Sequence, residues 1–137
     1  MTLVIDASVA CKWVLAESES EQARKLVESG EQLIAPAVIL VETANVFRRR
    51  LRLGEISEAQ ARHALTNVRA VIYYLEPIET LIDAAFDLSI IMNHPVYDCL
   101  YLSLAQQQGC AMVTADRKLA DRAVKIKLGK FVQLLSA

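Results

Sequence analysis

The sequence predicts an α/β fold of three layers, a central parallel sheet of four to five strands flanked by helices. Three observations carry that prediction. Short, uninterrupted apolar runs such as Leu3-Val4-Ile5 and Ala111-Met112-Val113 read as strands buried on both faces. They alternate with longer helical patterns along the whole chain, with no repeat, linker or low-complexity tract, so right-handed crossovers between parallel strands follow. Two of the runs stop at an acid, at Asp6 and, after Thr114-Ala115, at Asp116. Open sheets of this class bind ligands outside the carboxyl ends of their strands.

Each element has its own signal. The first strand ends at Ile5, and Ser8 is a suitable N-cap for a helix through Val9, Trp13 and Val14. Glu19 to Ser29 forms a second helix with Ala23, Leu26 and Val27 inward, stopped by Gly30. Gln32 to Ala35 is a short strand. Pro36 suits the first turn of the next helix, whose apolar face is Leu40, Ala44, Phe47 and Leu51 and which ends at Gly54. Ser57-Glu58-Ala59-Gln60 matches a capping box and opens a helix to about Arg69. The β-branched and aromatic stretch from Val71 to Leu75 reads as a third strand. Glu79 to Met92 is helical, with Leu81, Ala84, Ala85 and Leu88 as its core side. Pro95 precedes a helix from Tyr97 to Gln107, closed by Gly109. The strand at Ala111, a short helix from Arg117 to Ala123 and an edge strand within Val124 to Leu134 complete the chain.

Composition narrows the function. At 137 residues the chain matches one domain, 1–137, and a domain of this size buries roughly two-thirds of its unfolded surface. The apolar share of 54% is high enough to supply an interface as well as a core. A net charge of −1 excludes a strongly basic nucleic-acid module, though not a local basic patch. Cys11, Cys99 and Cys110 lie in apolar stretches without framework spacing, as reduced core thiols do. Asp6 and Lys12 interrupt the first apolar segment, so it does not read as a secretory leader. No stretch reaches the roughly 18 apolar residues of a membrane span. A soluble cytoplasmic protein is expected.

Four acids stand out. Asp6 and Asp116 are at strand ends. Asp98, in the first turn of the helix after Pro95, is a lone acid among Tyr97, Cys99, Leu100, Tyr101 and Leu102, and Glu42 is the only charged residue between Pro36 and Phe47. Buried carboxylates are rare unless paired or bound to metal. Taken singly, each could cap a helix or meet an arginine. Converging, they repel, so their pKa values rise or a cation holds them. Oxygen donors favour Mg²⁺ or Mn²⁺, and the lack of a His/Cys set argues against zinc. A carboxylate-held divalent cation suits phosphodiester hydrolysis.

Ser8, two residues after Asp6, Asn45, one turn after Glu42, and Thr114, before Asp116, could orient these carboxylates or a bound water. Their alternative roles are helix caps for Ser8 and Thr114 and a solvated amide for Asn45. Arg48, Arg49, Arg50 and Arg52 form the densest basic feature and could hold a nucleic-acid backbone, although a charge run is more often a solvated helix face. His63 and His94 lack ligand-spaced partners and read as surface or structural residues, Arg117, Lys118 and Asp121 as the coat of the short helix, and Trp13 and the tyrosines as core or interface.

The segments Val4-Ile5-Asp6-Ala7-Ser8-Val9, Glu42-Thr43-Ala44-Asn45-Val46, Tyr97-Asp98-Cys99-Leu100-Tyr101-Leu102-Ser103-Leu104-Ala105 and Val113-Thr114-Ala115-Asp116-Arg117-Lys118-Leu119 resemble, in order, the motifs of PIN-domain proteins. The resemblance spans essentially the whole chain and is closest to the VapC-type toxins of toxin–antitoxin pairs. It implies a PIN-like sheet of five parallel strands and a Mg²⁺- or Mn²⁺-dependent endoribonuclease. It further implies Asp6, Glu42, Asp98 and Asp116 as the acidic quartet, Asn45 and Thr114 at common polar positions, a homodimer, and a cognate antitoxin whose C-terminal segment occupies the active-site groove.

Rival classes fit less well. A haloacid-dehalogenase-like phosphatase needs a second acid where this chain has Ser8, a receiver domain needs a paired acid at the first strand, and no glycine-rich phosphate loop is present. A PIN-fold RNA- or protein-binding module without catalysis, and a housekeeping RNA-processing nuclease, are the remaining alternatives.

Overall fold

In the computed structural model, which describes residues 1–135, five strands form one parallel sheet. They are β1 (Thr2–Ile5), β2 (Gln32–Pro36), β3 (Tyr74–Glu76), β4 (Ala111–Thr114) and β5 (Val132–Leu134), ordered β3-β2-β1-β4-β5. The apolar run of β1 lies at the centre because both its edges are paired: Val4 is in register with Ile34 of β2 and with Met112 of β4. Val4, Ile5, Met112 and Val113 are fully buried, whereas β3 and β5 at the edges are only partly so. The family's five-strand sheet is therefore present, and the expected edge strand is β5.

The helices are α1 (Ala7–Val14), α2 (Ser20–Glu28), α3 (Val38–Arg52), α4 (Glu58–Val71), α5 (Ile82–Met92), α6 (Val96–Gln108) and α7 (Arg117–Lys125). Right-handed crossovers put α1 to α4 on one face and α5 to α7 on the other. α6 packs over β1, β2 and β4, with every residue from Cys99 to Ala105 buried. The connections from β1 and β2 run toward one edge of the sheet, and the connection from β4 runs toward the other. The chain thus reverses its winding between β1 and β4, where a crevice forms at the carboxyl ends of the strands. Asp6 follows β1 directly, and Asp116 follows β4 after Ala115.

Several boundaries differ from the sequence reading. Ser8 does not cap α1; Asp6 does, through a hydrogen bond from the Val9 N–H. Pro36 ends β2 rather than opening a helix. As the last residue of its ladder it needs no donor, and the next N–H, of Ala37, donates to the Glu76 carbonyl at 2.9 Å. The third strand is shorter than Val71 to Leu75, because α4, nucleated by the predicted capping box at Ser57 and Gln60, runs on to Val71. A single 3₁₀ turn at Ile78–Thr80 precedes α5. The buried line of α3 is Val38, Ile39, Thr43 and Phe47, with Leu40, Ala44 and Leu51 half-buried. Thr43 enters the core because its hydroxyl donates to the Ile39 carbonyl at 2.7 Å.

Cys11 and Cys99 are buried and Cys110 half-buried, all as free thiols. Burial pushes Cys11 up to about 12 and Cys99 up to about 11, so both remain protonated core residues. His63 is exposed, as are Arg117, Lys118 and Asp121 on α7. Trp13 and Tyr101 belong to the core, while Tyr73, Tyr74 and Tyr97 lie on the surface. Among the described residues, no helix is long and apolar enough to cross a membrane.

Candidate metal centre

Asp6, Glu42, Asp98 and Asp116 all line one cleft of about 540 Å³ at the β1–β4 switch point. Four different elements deliver them. Asp6 leaves β1 in an extended conformation, only 5% exposed, and begins α1. Its Oδ1 accepts from the Ser8 hydroxyl at 2.5 Å and from the Val9 N–H at 3.2 Å. Asp116 begins α7 in the same manner, with Oδ1 accepting from the Lys118 and Leu119 N–H groups at 2.9 and 3.2 Å. Glu42 projects from the second turn of α3, where the Tyr101 hydroxyl of α6 donates to its Oε1 at 2.5 Å. Asp98 occupies the first turn of α6, and its Oδ2 lies 2.6 Å from His94 Nε2.

Glu42, Asp98 and Asp116 are thus each gripped by the chain through one oxygen. Among the described residues the second oxygens of Glu42, Asp98 and Asp116 have no protein hydrogen-bond partner. The amino-terminal ends of α1, α6 and α7 meet at the cleft, and their unsatisfied N–H groups and dipoles favour negative charge there.

The small polar residues do more than cap. Ser8, besides donating to Asp6, accepts the Ala115 N–H at 3.1 Å and so ties the end of β1 to the end of β4. Thr114 is fully buried and accepts the Asp116 N–H at 3.0 Å, fixing the turn into α7. Asn45 lines the cleft from an exposed position on α3. The four arginines separate around their helix. Arg49 and Arg50 line the cleft, Arg48 faces a groove between α3 and α4, and Arg52 lies exposed outside both. Arg50 is committed to Glu17 at 2.7 Å and Glu55 at 3.2 Å.

The electrostatics indicate missing positive charge. Burial pushes the Asp6 carboxyl up to about 6; the Ser8 and Thr114 hydroxyls and the Val9 N–H oppose that rise, and the nearby Asp98 adds to it. Glu42 is raised by burial and by Asp98, against the Tyr101 hydrogen bond. Among the described residues no lysine or arginine forms a salt bridge with any of the four acids. A set of oxygen donors in which Asp98 repels Asp6 and Glu42, with no lysine or arginine paired to any of the four among the described residues, fits a divalent cation.

Four residues at the site have roles that the sequence reading does not give them. His94 is buried, and one ring nitrogen lies within 4.8 Å of carboxylate oxygens of both Asp98 and Asp116. Its position four before Asp98 was the available signal, obscured by the intervening Pro95. Tyr101 reads as core, and is core, but its hydroxyl serves Glu42. Lys12 is buried at the cleft wall and held by the Ser18 carbonyl at 2.8 Å and by Glu17 at 3.4 Å. Glu17, a fifth acid lining the cleft, is occupied by Lys12 and Arg50.

Comparison with known proteins agrees with this geometry. The PIN domain family matches residues 3–125. The chain is 32% identical over 119 residues to ribonuclease VapC9 of Mycobacterium tuberculosis, covering 87% of this chain and 89% of that one. It is 32% identical over 125 residues to ribonuclease VapC3 of Pyrobaculum aerophilum, covering 89% and 95% respectively. Among solved structures, PAE2754 from Pyrobaculum aerophilum superposes with a TM-score of 0.75 at 22% identity, covering 98% of this chain and 92% of that one. VapBC2 from Rickettsia felis, solved bound to a DNA fragment from their promoter, gives a TM-score of 0.67 at 10% identity with 98% of each chain covered. At those identities the two structures speak for the fold alone.

Proposed function

Because this chain belongs to the PIN-domain family, we propose that it is a divalent-metal-dependent endoribonuclease that hydrolyses RNA phosphodiester bonds as the toxin of a toxin–antitoxin pair. The observation that carries this reading is the convergence of Asp6, Glu42, Asp98 and Asp116 on one cleft with no protein cation paired to them among the described residues. A binding module without catalysis gains nothing from carboxylates that raise one another's pKa.

In this reading the four carboxylates hold Mg²⁺ or Mn²⁺, both served by oxygen donors. The bound cation supplies a Lewis acid that activates water and stabilises charge on the phosphate in the transition state. The chain's own contribution is preorganisation. Ser8, Tyr101, His94 and the first N–H groups of α7 each hold one carboxylate oxygen, so the acids stand ready in fixed orientations. Arg49 and Arg50 on the cleft wall are placed to meet RNA phosphates, Arg49 with no ion-pair partner among the described residues. Asn45, on the rim, is placed to orient a water or a substrate oxygen.

The partners follow from the same reading. The relatives are named as VapC ribonucleases, which supports RNA as substrate; a cognate antitoxin as regulator follows from the resemblance to VapC-type toxins. A homodimer would use α5, which exposes Phe86, Ile90 and Ile91 together. A cytoplasmic location accords with free cysteines and with an RNA substrate.

The test is cleavage of RNA by the purified protein with Mg²⁺ or Mn²⁺, with a chelator, and in Asp98→Asn. Cleavage that needs the cation and is lost in the folded variant supports the reading; metal-independent cleavage, or full activity in Asp98→Asn, overturns it. Growth arrest on expression, relieved by co-expressing the product of a neighbouring small reading frame, separates a toxin from a housekeeping nuclease.

A further inference from the structure

His94 has a partner on each ring nitrogen. Nε2 lies 2.6 Å from Asp98 Oδ2, and Nδ1 lies 3.0 Å from Arg122 Nη1. A guanidinium offers only donors, so Nδ1 accepts, and in the neutral ring the proton sits on Nε2 and is donated to Asp98. Arg122 is itself anchored, since Nη1 also donates to the Asn93 carbonyl at 2.5 Å. Asn93 turns that carbonyl into place by adopting a left-handed conformation, φ 52°, at the end of α5. The side chain of His94 is 4% exposed, so water does not compete for either nitrogen. A chain of donors therefore runs from Arg122 on α7, through the imidazole, to the carboxylate on α6.

This arrangement bears on which ion the cleft takes. A ring nitrogen of His94 and oxygens of Asp98 and Asp116 lie within 4.8 Å of one another, close enough to share an ion. A nitrogen donor in that set would favour Zn²⁺, Co²⁺ or Ni²⁺ over Mg²⁺ and Mn²⁺. A protonated Nε2 has no lone pair to give.

We infer that His94 is a positioning residue, locked between Arg122 and Asp98 as the Nε2-protonated tautomer, which orients Asp98 and withholds a nitrogen ligand so that the cleft offers only oxygen donors. The inference rests on the carboxylate metal site proposed above. It predicts graded effects for the two members of the relay. Loss of the imidazole frees Asp98 and weakens cation binding. Loss of the guanidinium leaves Nε2–H on the Asp98 carboxylate, which only accepts, but releases the other side of the ring, so cation binding weakens to a smaller degree and no nitrogen donor is added.

The experiment measures Mn²⁺ affinity by the electron paramagnetic resonance signal of free Mn²⁺, and the visible spectrum of bound Co²⁺, with folding followed by circular dichroism. His94→Leu is expected to weaken Mn²⁺ binding by about 10- to 100-fold, the usual effect of losing a group that orients a ligand. His94→Gln, whose amide can still donate to Asp98, should restore most of that loss. Arg122→Met should weaken Mn²⁺ binding less than His94→Leu does and leave the Co²⁺ spectrum that of an all-oxygen site, because Asp98 still holds the Nε2 proton. Wild-type Mn²⁺ affinity in folded His94→Leu, or an imidazole-ligated Co²⁺ spectrum in the wild type, overturns the inference. If His94→Leu fails to fold, His94→Gln and Arg122→Met decide: an imidazole-ligated Co²⁺ spectrum in Arg122→Met, or His94→Gln binding Mn²⁺ no better than a variant lacking Asp98, overturns it equally. If the wild type binds no Mn²⁺, or folded Asp98→Asn binds it as well as the wild type, the carboxylate site itself fails and takes this inference with it.

Discussion

The Tyr101 hydroxyl donates to Glu42 Oε1 at 2.5 Å, joining α6 to α3 through the polar tip of a side chain that is otherwise core. The bond spans 59 positions of sequence. It also constrains chemistry: burial and the neighbouring Glu42 hold the Tyr101 phenol well above its usual pKa, so it remains a donor at any working pH.

Tyr101→Phe keeps the ring in place and removes only that donor. Unfolding free energy should drop by about 1 kcal/mol, the ordinary net worth of one hydrogen bond. The larger effect is on Glu42. The bond holds the Glu42 carboxyl down against burial and Asp98, so its loss lets the pKa rise further, and the acid limb of a kcat/KM against pH profile moves to higher pH. An unmoved limb would dissociate Tyr101 from the site.

Ser8→Ala removes at once the donor to Asp6 Oδ1 and the acceptor for the Ala115 N–H. Water can reach the Ala115 N–H, so thermal stability should change little. Cation affinity, measured by calorimetry, should fall by about tenfold, because the two strand ends lose their tie. A stability loss with unchanged affinity would make Ser8 a purely structural residue.

Asp6 provides the pH test. Its carboxyl titrates near 6 in the folded protein against 3.8 ordinarily. The folded state thus binds the proton more tightly than the unfolded chain, and in the metal-free protein stability falls as pH rises from about 4 to about 6 and stays lower above that. Asp6→Asn removes this cost while preserving the cap, since Asn is an equally good N-cap. Denaturant unfolding in chelator should show the variant more stable than the wild type at pH 7, by up to about 3 kcal/mol, with the gap closing below pH 4. Equal stability of the two proteins at pH 7 would contradict the assigned shift.

Arg49 and Arg48 are adjacent in sequence and face different grooves. Arg49→Gln should raise KM for RNA several-fold with kcat nearly unchanged, and lower the slope of log affinity against log salt by about one. Arg48→Gln should do neither. Equal effects from both would show that the arginines act as a diffuse field.

What the sequence made legible follows from the range of each interaction. The buried strands and the acids that end them were visible because a continuous apolar run closed by a carboxylate is a local pattern. Glu42 and Asp98 were visible as lone charges in apolar helices. The order of the strands was not, since pairing is settled by contacts among distant segments. His94 was passed over because Pro95 masks its pairing with Asp98 and its other partner, Arg122, lies 28 positions away, and Tyr101 because its partner lies on another helix. Val71 to Leu75 misled for a different reason: β-branched propensity at the end of a well-capped helix lost to the continuation of that helix. Ser8 misled because a serine near a helix start resembles a cap, while Asp6 had already taken the place.

That Asp6 and Asp116 both cap helices bears on how this family would decay. Each cap is worth about 1 kcal/mol of folding free energy, so a descendant released from selection for cleavage would still be held near a capping residue at both positions. That residue would be Asn or Ser at position 6, where the buried charge is costly, and Asp, Asn or Ser at position 116. Glu42 lies within a helix, and Pro95 rather than Asp98 holds the cap position of α6; both acids would drift first. Under the four-carboxylate reading proposed above, a relative that keeps capping residues at the two strand ends and has lost the two helix acids would be a relic of the fold with its chemistry gone.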